Sequence, residues 1–214
     1  AASLGLSLPP PRVSLVDDTD DKGVTVLVRG VPAASATVDD AASVAELVSR
    51  TLRERASELL SLDDVAKLLA ELGKSSPAAV RQTVPDPLSL PLLLQVLRRL
   101  LAEGVGIRDL ALVLESLALQ KDQDPAELAE HARAALHRQT TYHLLGGASE
   151  LPVMTVERLV EDEIRRATVR SAGTTVLAIA PGLARDVVSA VERAAQAART
   201  AEGREVPLLV APDI

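Results

Sequence analysis

The chain has 214 residues, a net charge of −7 and no cysteine, which excludes disulfide frameworks, thiolate metal sites and cysteine nucleophiles. Phe and Trp are absent and Tyr142 is the only tyrosine, so nothing can stack on a base or a sugar, and the acidic balance repels phosphate backbones. With 47% hydrophobic and 25% charged residues the chain can bury a sizeable core built from Leu, Val and Ala, as one large domain or two to three small ones.

Residues 1–23, with SLPPPR and DDTDDKG, read as linker and loop. VTVLVRG (24–30) is β-rich, and ASATV (34–38) is its expected partner across Val31-Pro32. From Asp39 the period changes: Val44, Leu47, Val48, Leu52 and Leu59 follow helical spacing to about Leu60. Ser61, with Asp64 three residues on, predicts a capped helix over LDDVAKLLAEL that Gly73 should end. SPAAVRQTV (76–84) predicts a short helix stopped by Pro85 and Pro87.

A helix follows from Leu90 to Glu103, with Gln95, Arg98, Arg99 and Ala102 on its polar side. After a hinge, the next runs from Ile107 to about Gln120, and Asp124-Pro125 starts another that reaches about Leu144. Beyond Gly146-Gly147, LPVMTV suggests a short strand and VERLVEDEIRRA a helix. TTVLAIA (174–180), a helix from about Leu183 to Thr200, and VPLLVA (206–211) read as a strand-helix-strand unit with two parallel strands. Pro212-Asp213-Ile214 reads as the start of one more helix, which would leave the last layer incomplete. No apolar run approaches the roughly 20 residues that span a bilayer. A chain that begins with Ala rather than Met is expected to be a piece of something longer.

Tests for chemistry come out empty. His131, His137 and His143 are spaced by six, so on one helix each step rotates by about 240° and no metal is shared. DDTDDKG places Asp18, Asp20 and Gly23 where a calcium loop needs them, but Lys22 and Arg29 replace two of its ligands. No phosphate loop, G-x-S-x-G or HExxH occurs, and Glu161, Asp162 and Glu163 beside Arg165 and Arg166 suit a solvated helix face. Neither catalytic residues nor a metal or nucleotide site is expected. The pair of helices about the hinge lacks the cations of a DNA-reading element, since after Arg108 the segment DLALVLESLALQ carries two acids and no cation.

The hinge itself has structural logic. Gly104 suits the left-handed end of the first helix, Gly106 is the expected N-cap of the second, and Asp109 then falls in its first turn, where an acid favours the helix dipole. Arg108 is misplaced there and should seek an acid. Ile107, Leu110, Leu114 and Leu117 make one apolar stripe; Leu112 and Leu119 lie opposite. Either the helix is sandwiched in its own domain, or Arg108, Leu112 and Leu119 face another domain or subunit.

VLRRLLAEGVGIRDLALVLESLA, preceded by ASELLSLDDVAKLLAEL and followed by DPAELAEHARAALHRQ, resembles the cytosolic domain of the type III secretion export-gate family. The motif is carried by Leu101, Glu103, Val105, Ile107, Arg108, Asp109, Leu110 and Leu114 to Ala118. The likeness is good over residues 50–140, fair over 150–214 and weak before 45. It implies an α+β multidomain fold: a small mixed α/β platform (1–60, shortened), a central helical domain (61–148) and a small C-terminal α/β domain with the strand-helix-strand unit (149–214, truncated). It further implies a non-enzymatic part of a membrane-embedded protein, on the cytoplasmic face of the bacterial inner membrane. Such a part assembles head-to-tail into a nonameric ring, weakly in isolation, and receives export substrates, chaperones and gatekeeper proteins. The connection between the strands near 24–38 and the helix near 44 is shorter than the family's usual insertion, so no chaperone-contact residue carries across. The alternatives are a soluble helical adaptor with the same fold and an enzyme whose site is completed elsewhere.

Overall fold

A computed structural model describes residues 4–6, 11–14, 23–120, 124–171, 174–198 and 206–211. The acidic loop with Asp18, Asp20 and Lys22 and the terminal Pro212 to Ile214 lie outside these. The chain divides into two compact units, residues 1–141 and 142–214.

The first unit opens with an antiparallel hairpin of β1 (Gly23–Val28) and β2 (Val31–Thr37). The two strands meet through Arg29 and Gly30, both with positive φ (52° and 82°), the signature of a two-residue type I′ turn. The turn is thus two residues earlier than Val31-Pro32, and Pro32 sits inside β2. A register shift between Val26 and Leu27 marks a bulge there, one of the few places a strand accepts proline.

Helix α1 (Ala41–Glu54) starts under an Asp40 cap, whose carboxylate accepts the Ser43 amide at 2.7 Å. The expected helix to Leu60 is broken at Arg55, and a short α2 (Ala56–Leu59) follows. Ser61 and Asp64 form the reciprocal capping box read from the sequence and start α3 (Leu62–Ser75). Gly73 does not end it: the helix continues two residues until Ser76, where Pro77 begins α4 (Pro77–Arg81). Then come α5 (Leu90–Ala102), α6 (Leu110–Leu117), α7 (Pro125–Ala135) and α8 (His137–Leu145). A break at Leu136 separates the last two, so the three histidines lie on two helices rather than one.

The core of this unit is aliphatic. Leu60, Leu88, Leu93, Leu97, Leu100 and Leu114 are completely or almost completely buried, each stabilising by about 1.5–3 kcal/mol relative to exposure. Among the described residues the buried polar ones are Thr51 and Thr83. Thr83 is satisfied twice, its hydroxyl donating to the Ala79 carbonyl (2.8 Å) and lying 3.2 Å from the Leu114 carbonyl.

Leu4 and Leu6 also belong to this core, at 6% and 8% exposure. The N-terminal stretch is therefore not simply a linker. Composition suggested one because the prolines and acids around these leucines outnumber them.

The second unit holds β3 (Met154–Thr155), α9 (Arg158–Ala167), β4 (Thr168–Ser171), β5 (Thr174–Leu177), α10 (Pro181–Ala197) and β6 (Leu208–Leu209). The strand-helix-strand order β5-α10-β6 is present, but its strands do not pair with each other. β5 pairs antiparallel with β4, and β6 pairs parallel with β3. TVRS directly follows α9 without a turn signal, so the hairpin partner of TTVL was invisible to periodicity. The Ala211 amide donates to Glu161 (3.1 Å), tying the end of β6 to α9.

Candidate functional site

The hinge is built by backbone hydrogen bonds. At the end of α5 the Val105 amide donates to the Leu100 carbonyl (2.8 Å) and the Gly104 amide to the Leu101 carbonyl (3.1 Å). With Gly104 at φ +74°, this is the Schellman arrangement, and Val105 buries its side chain as the motif prefers. Gly106 does not cap α6. Its carbonyl accepts from the Gln139 side chain (3.2 Å), and Asp109 is the cap, its carboxylate accepting the Leu112 amide (3.2 Å).

The reason is a tertiary competitor: Gln139 takes the Gly106 carbonyl that a cap there would offer to the helix. The Ile107 amide donates to the Leu4 carbonyl (3.0 Å), the chain bends at Arg108, and it turns helical only at Leu110. Gly5 passes so close that a Cβ there would lie 2.8 Å from the Arg108 nitrogen and 2.9 Å from its Cα. The Ile-Arg-Asp segment is thereby clamped between α5, the side chain of Gln139 and the Leu4–Leu6 strap.

Glu103, just before Gly104, is bound in turn by Arg133 of α7, which also pairs with Glu130. Burial of Arg133 works to lower its pKa, but the hydrogen bonds and charges of Glu130 and Glu103 outweigh it and raise the pKa, holding the guanidinium charged.

Ile107, Leu110, Leu114 and Leu117 point inward, with Val113 beside them. Leu112 is 36% exposed and Leu119 87% exposed. Arg108 is exposed, and among the described residues it makes no ion pair, so the acid partner expected for it is not seen. Leu119 lies beyond the last turn of α6. Arg108, Leu112 and Leu119 are thus presented outward, and the Asp109 carboxylate is used as the cap of α6. Among the described residues no three His, Asp or Glu side chains converge as a metal site.

Two concave places were not foreseen. One, in the first unit, lies among Arg29, Ser57, Glu58, Arg98, Arg99 and Ala102. The other, in the second unit, is an apolar groove of about 360 Å³ between β3 and α10, with Val156, Val160, Val187 and Val191 in its walls. Both gather residues far apart in the chain, which no local pattern can signal.

The profile of the FHIPEP family matches residues 25–214. The chain belongs to the FHIPEP family. This is the export-gate family of type III secretion, and the resemblance carried by the Ile107-Arg108-Asp109 motif is confirmed. Among curated relatives, the flagellar biosynthesis protein FlhA of Proteus mirabilis is 34% identical over 67% of this chain and 20% of its own length. FlhA of Bacillus subtilis is 29% identical over 91% of this chain and 27% of its own length. The chain therefore spans less than a third of either relative. Among solved structures, the Shigella flexneri MxiA protein aligns with a TM-score of 0.73 at 21% identity, covering 93% of this chain and 73% of its own. A chain in the structure of the Chlamydia pneumoniae CdsV and CdsO protein complex aligns at 0.79 and 19% identity, covering 99% of this chain and 76% of its own. A nonameric EscV cytosolic domain aligns at 0.57 and 19% identity over 80% of this chain and 57% of its own. These likenesses establish the mixed α/β fold expected from the sequence. Among the described residues no helix is long and apolar enough to cross a membrane.

Proposed function

We propose that this chain is a non-enzymatic docking and ring-forming domain of a type III export gate, held at the cytoplasmic face of the bacterial inner membrane by a membrane-embedded parent protein. In this reading residues 1–60 form the platform, 61–148 the helical domain and 149–214 the terminal α/β domain. The domain receives export substrates, chaperones or gatekeeper proteins and needs no cofactor. The observation that carries the reading is the clamped motif: a rigid backbone presents Leu112, Leu119 and Arg108 outward, on a fold shared with a cytosolic domain that was solved as a nonamer.

A ring contact is head-to-tail, so each subunit uses two different patches and closure sets the subunit number. Without membrane tethering, the domain is mainly monomeric when dilute and associates weakly when concentrated. Sedimentation velocity across a concentration series tests this with the wild type and with Leu112→Glu. The charged variant suppresses association while its thermal melt stays nearly unchanged. A strict monomer at every concentration points instead to a soluble adaptor with this fold, and a tight symmetric dimer contradicts both, because a closed two-fold contact cannot grow into a ring.

A further inference from the structure

The first unit carries a basic pocket on an otherwise acidic chain. It has a volume of about 490 Å³ and is lined by Arg29, Ser57, Glu58, Arg98, Arg99 and Ala102. Two separate elements supply its three cations: the β1–β2 turn gives Arg29, and adjacent positions of α5 give Arg98 and Arg99. Glu58, the acid at its wall, is already paired with Arg55 at 2.9 Å. Asp64 also feels the Arg29 charge, but its carboxylate is committed to the Ser61 hydroxyl and amide in the capping box.

Arg98 is fixed in place, its Nε and Nη2 both donating to the Leu60 carbonyl at 3.1 and 2.8 Å. Arg29 and Arg99 are exposed, and among the described residues neither has a hydrogen bond or ion pair from its side chain. Arg29 is also held at φ +52°. An L-residue other than Asn, Asp or Gly is strained there, and Asn-Gly is the sequence this turn favours. A long cation therefore occupies a backbone position that suits it poorly, beside two further cations. Backbone strain of this kind collects at sites of recognition.

We propose that this pocket binds a carboxylate-bearing peptide segment of a separate partner protein, with Arg29 and Arg99 pairing its carboxylates and Arg98 as a fixed positive wall. The guanidinium fork matches a carboxylate bidentately. Most of the exposed lining surface is apolar, with Ala102 and the long arginine stems beside the polar Ser57 and Glu58. That favours acidic residues flanked by aliphatic ones over free phosphate, which offers nothing to an apolar wall. A second copy of this chain fits less well, since several acids on its helices are held in ion pairs one turn away, among them Glu71 with Lys74, Asp162 with Arg165 and Glu163 with Arg166. Because the whole chain carries −7, attraction to the pocket acts only within about a Debye length, ~8 Å at physiological salt. This inference goes beyond the ring reading and does not depend on it.

The test is fluorescence anisotropy on the 214-residue chain with a labelled peptide alternating Glu or Asp with Leu, its Gln/Asn counterpart as control, and inorganic phosphate as competitor. The acidic peptide binds saturably and more weakly as salt rises; the amide peptide does not bind. Arg29→Asn and Arg99→Ala each weaken binding by about tenfold or more, the scale of one charge-assisted pair. Arg29→Asn suits the turn better than arginine, so its melting temperature is equal or higher, and lost binding cannot be assigned to misfolding. Phosphate competing as well as the peptide would make the pocket a small-anion site and overturn the proposal. Equal binding of the amide peptide, unchanged binding by both variants, or no saturable binding would each overturn it too. So would loss of self-association in the variants without any peptide binding, which would assign the pocket to a second copy.

Discussion

Gly5→Ala is the sharpest probe of how the N-terminal strap holds the hinge. The added Cβ would sit 2.8 and 2.9 Å from backbone atoms of Arg108, which cannot rotate away, on a residue at φ +80°. Staying docked costs about 1–2 kcal/mol for the left-handed backbone and about 1–3 kcal/mol for overpacking. The sum, roughly 2–5 kcal/mol, must be set against what docking provides. Burying Leu4 and Leu6 contributes about 3–6 kcal/mol at 1.5–3 each. The bond from Ile107 to Leu4 adds about 1 kcal/mol. Ordering three residues costs about 3–6 kcal/mol.

Docking therefore nets on the order of 1 kcal/mol by the midpoints of these terms, less than the clash. The variant should undock its strap rather than carry the strain. Urea unfolding should show a loss of only about 1 kcal/mol, while native-state hydrogen exchange at the Ile107 amide accelerates by about fivefold, the protection that docking of this size provides. Gly73→Ala is the control: it lies within α3 with nothing within 4 Å of its would-be Cβ, and should stabilise by up to about 1 kcal/mol. Unchanged Ile107 exchange in Gly5→Ala would refute the clamp.

The remaining expectations concern the core and the caps. Leu114 is fully buried and Leu112 is 36% exposed, so Leu114→Ala should cost about 2–5 kcal/mol in denaturant unfolding and Leu112→Ala much less; the reverse ranking would invert the two faces of α6. Ser61→Ala removes one half of the capping box and should cost about 0.5–2 kcal/mol, read by the same assay. The Asp64 pKa is lowered, chiefly by the Ser61 hydroxyl, against burial that raises it. Its contribution is thus present above its unfolded pKa and lost as pH falls through the lower folded value. Ser61→Ala should accordingly flatten the acid limb of the stability curve; an unchanged limb would mean that the bond does not form in solution. Thermal-shift titrations with calcium, zinc and ATP should show no stabilisation, whereas a ligand at 100 times its dissociation constant would add about 2.7 kcal/mol.

Local rules were enough to place the helical stretches of the first unit, though not the breaks at Arg55 and Leu136, and to read the caps at Ser61 and Asp124, the inward stripe of Ile107, Leu110, Leu114 and Leu117, and the family motif, because each depends on neighbours within a few residues. They were not enough where a distant segment competed. Gly106 looked like an N-cap, but the Gln139 side chain takes its carbonyl and α6 starts at the Asp109 cap. The expected parallel pairing of β5 with β6 was likewise wrong, β6 pairing with β3 instead, since parallel pairing is settled by long-range closure and not by strand composition. Leu112 and Leu119 could be placed opposite the stripe from spacing alone, but their exposure, and the meeting of Arg29 with Arg98 and Arg99, required the packed fold. Periodicity says which side of an element is apolar. Only the tertiary structure decides what that side meets, because burial is a property of every surface brought against it.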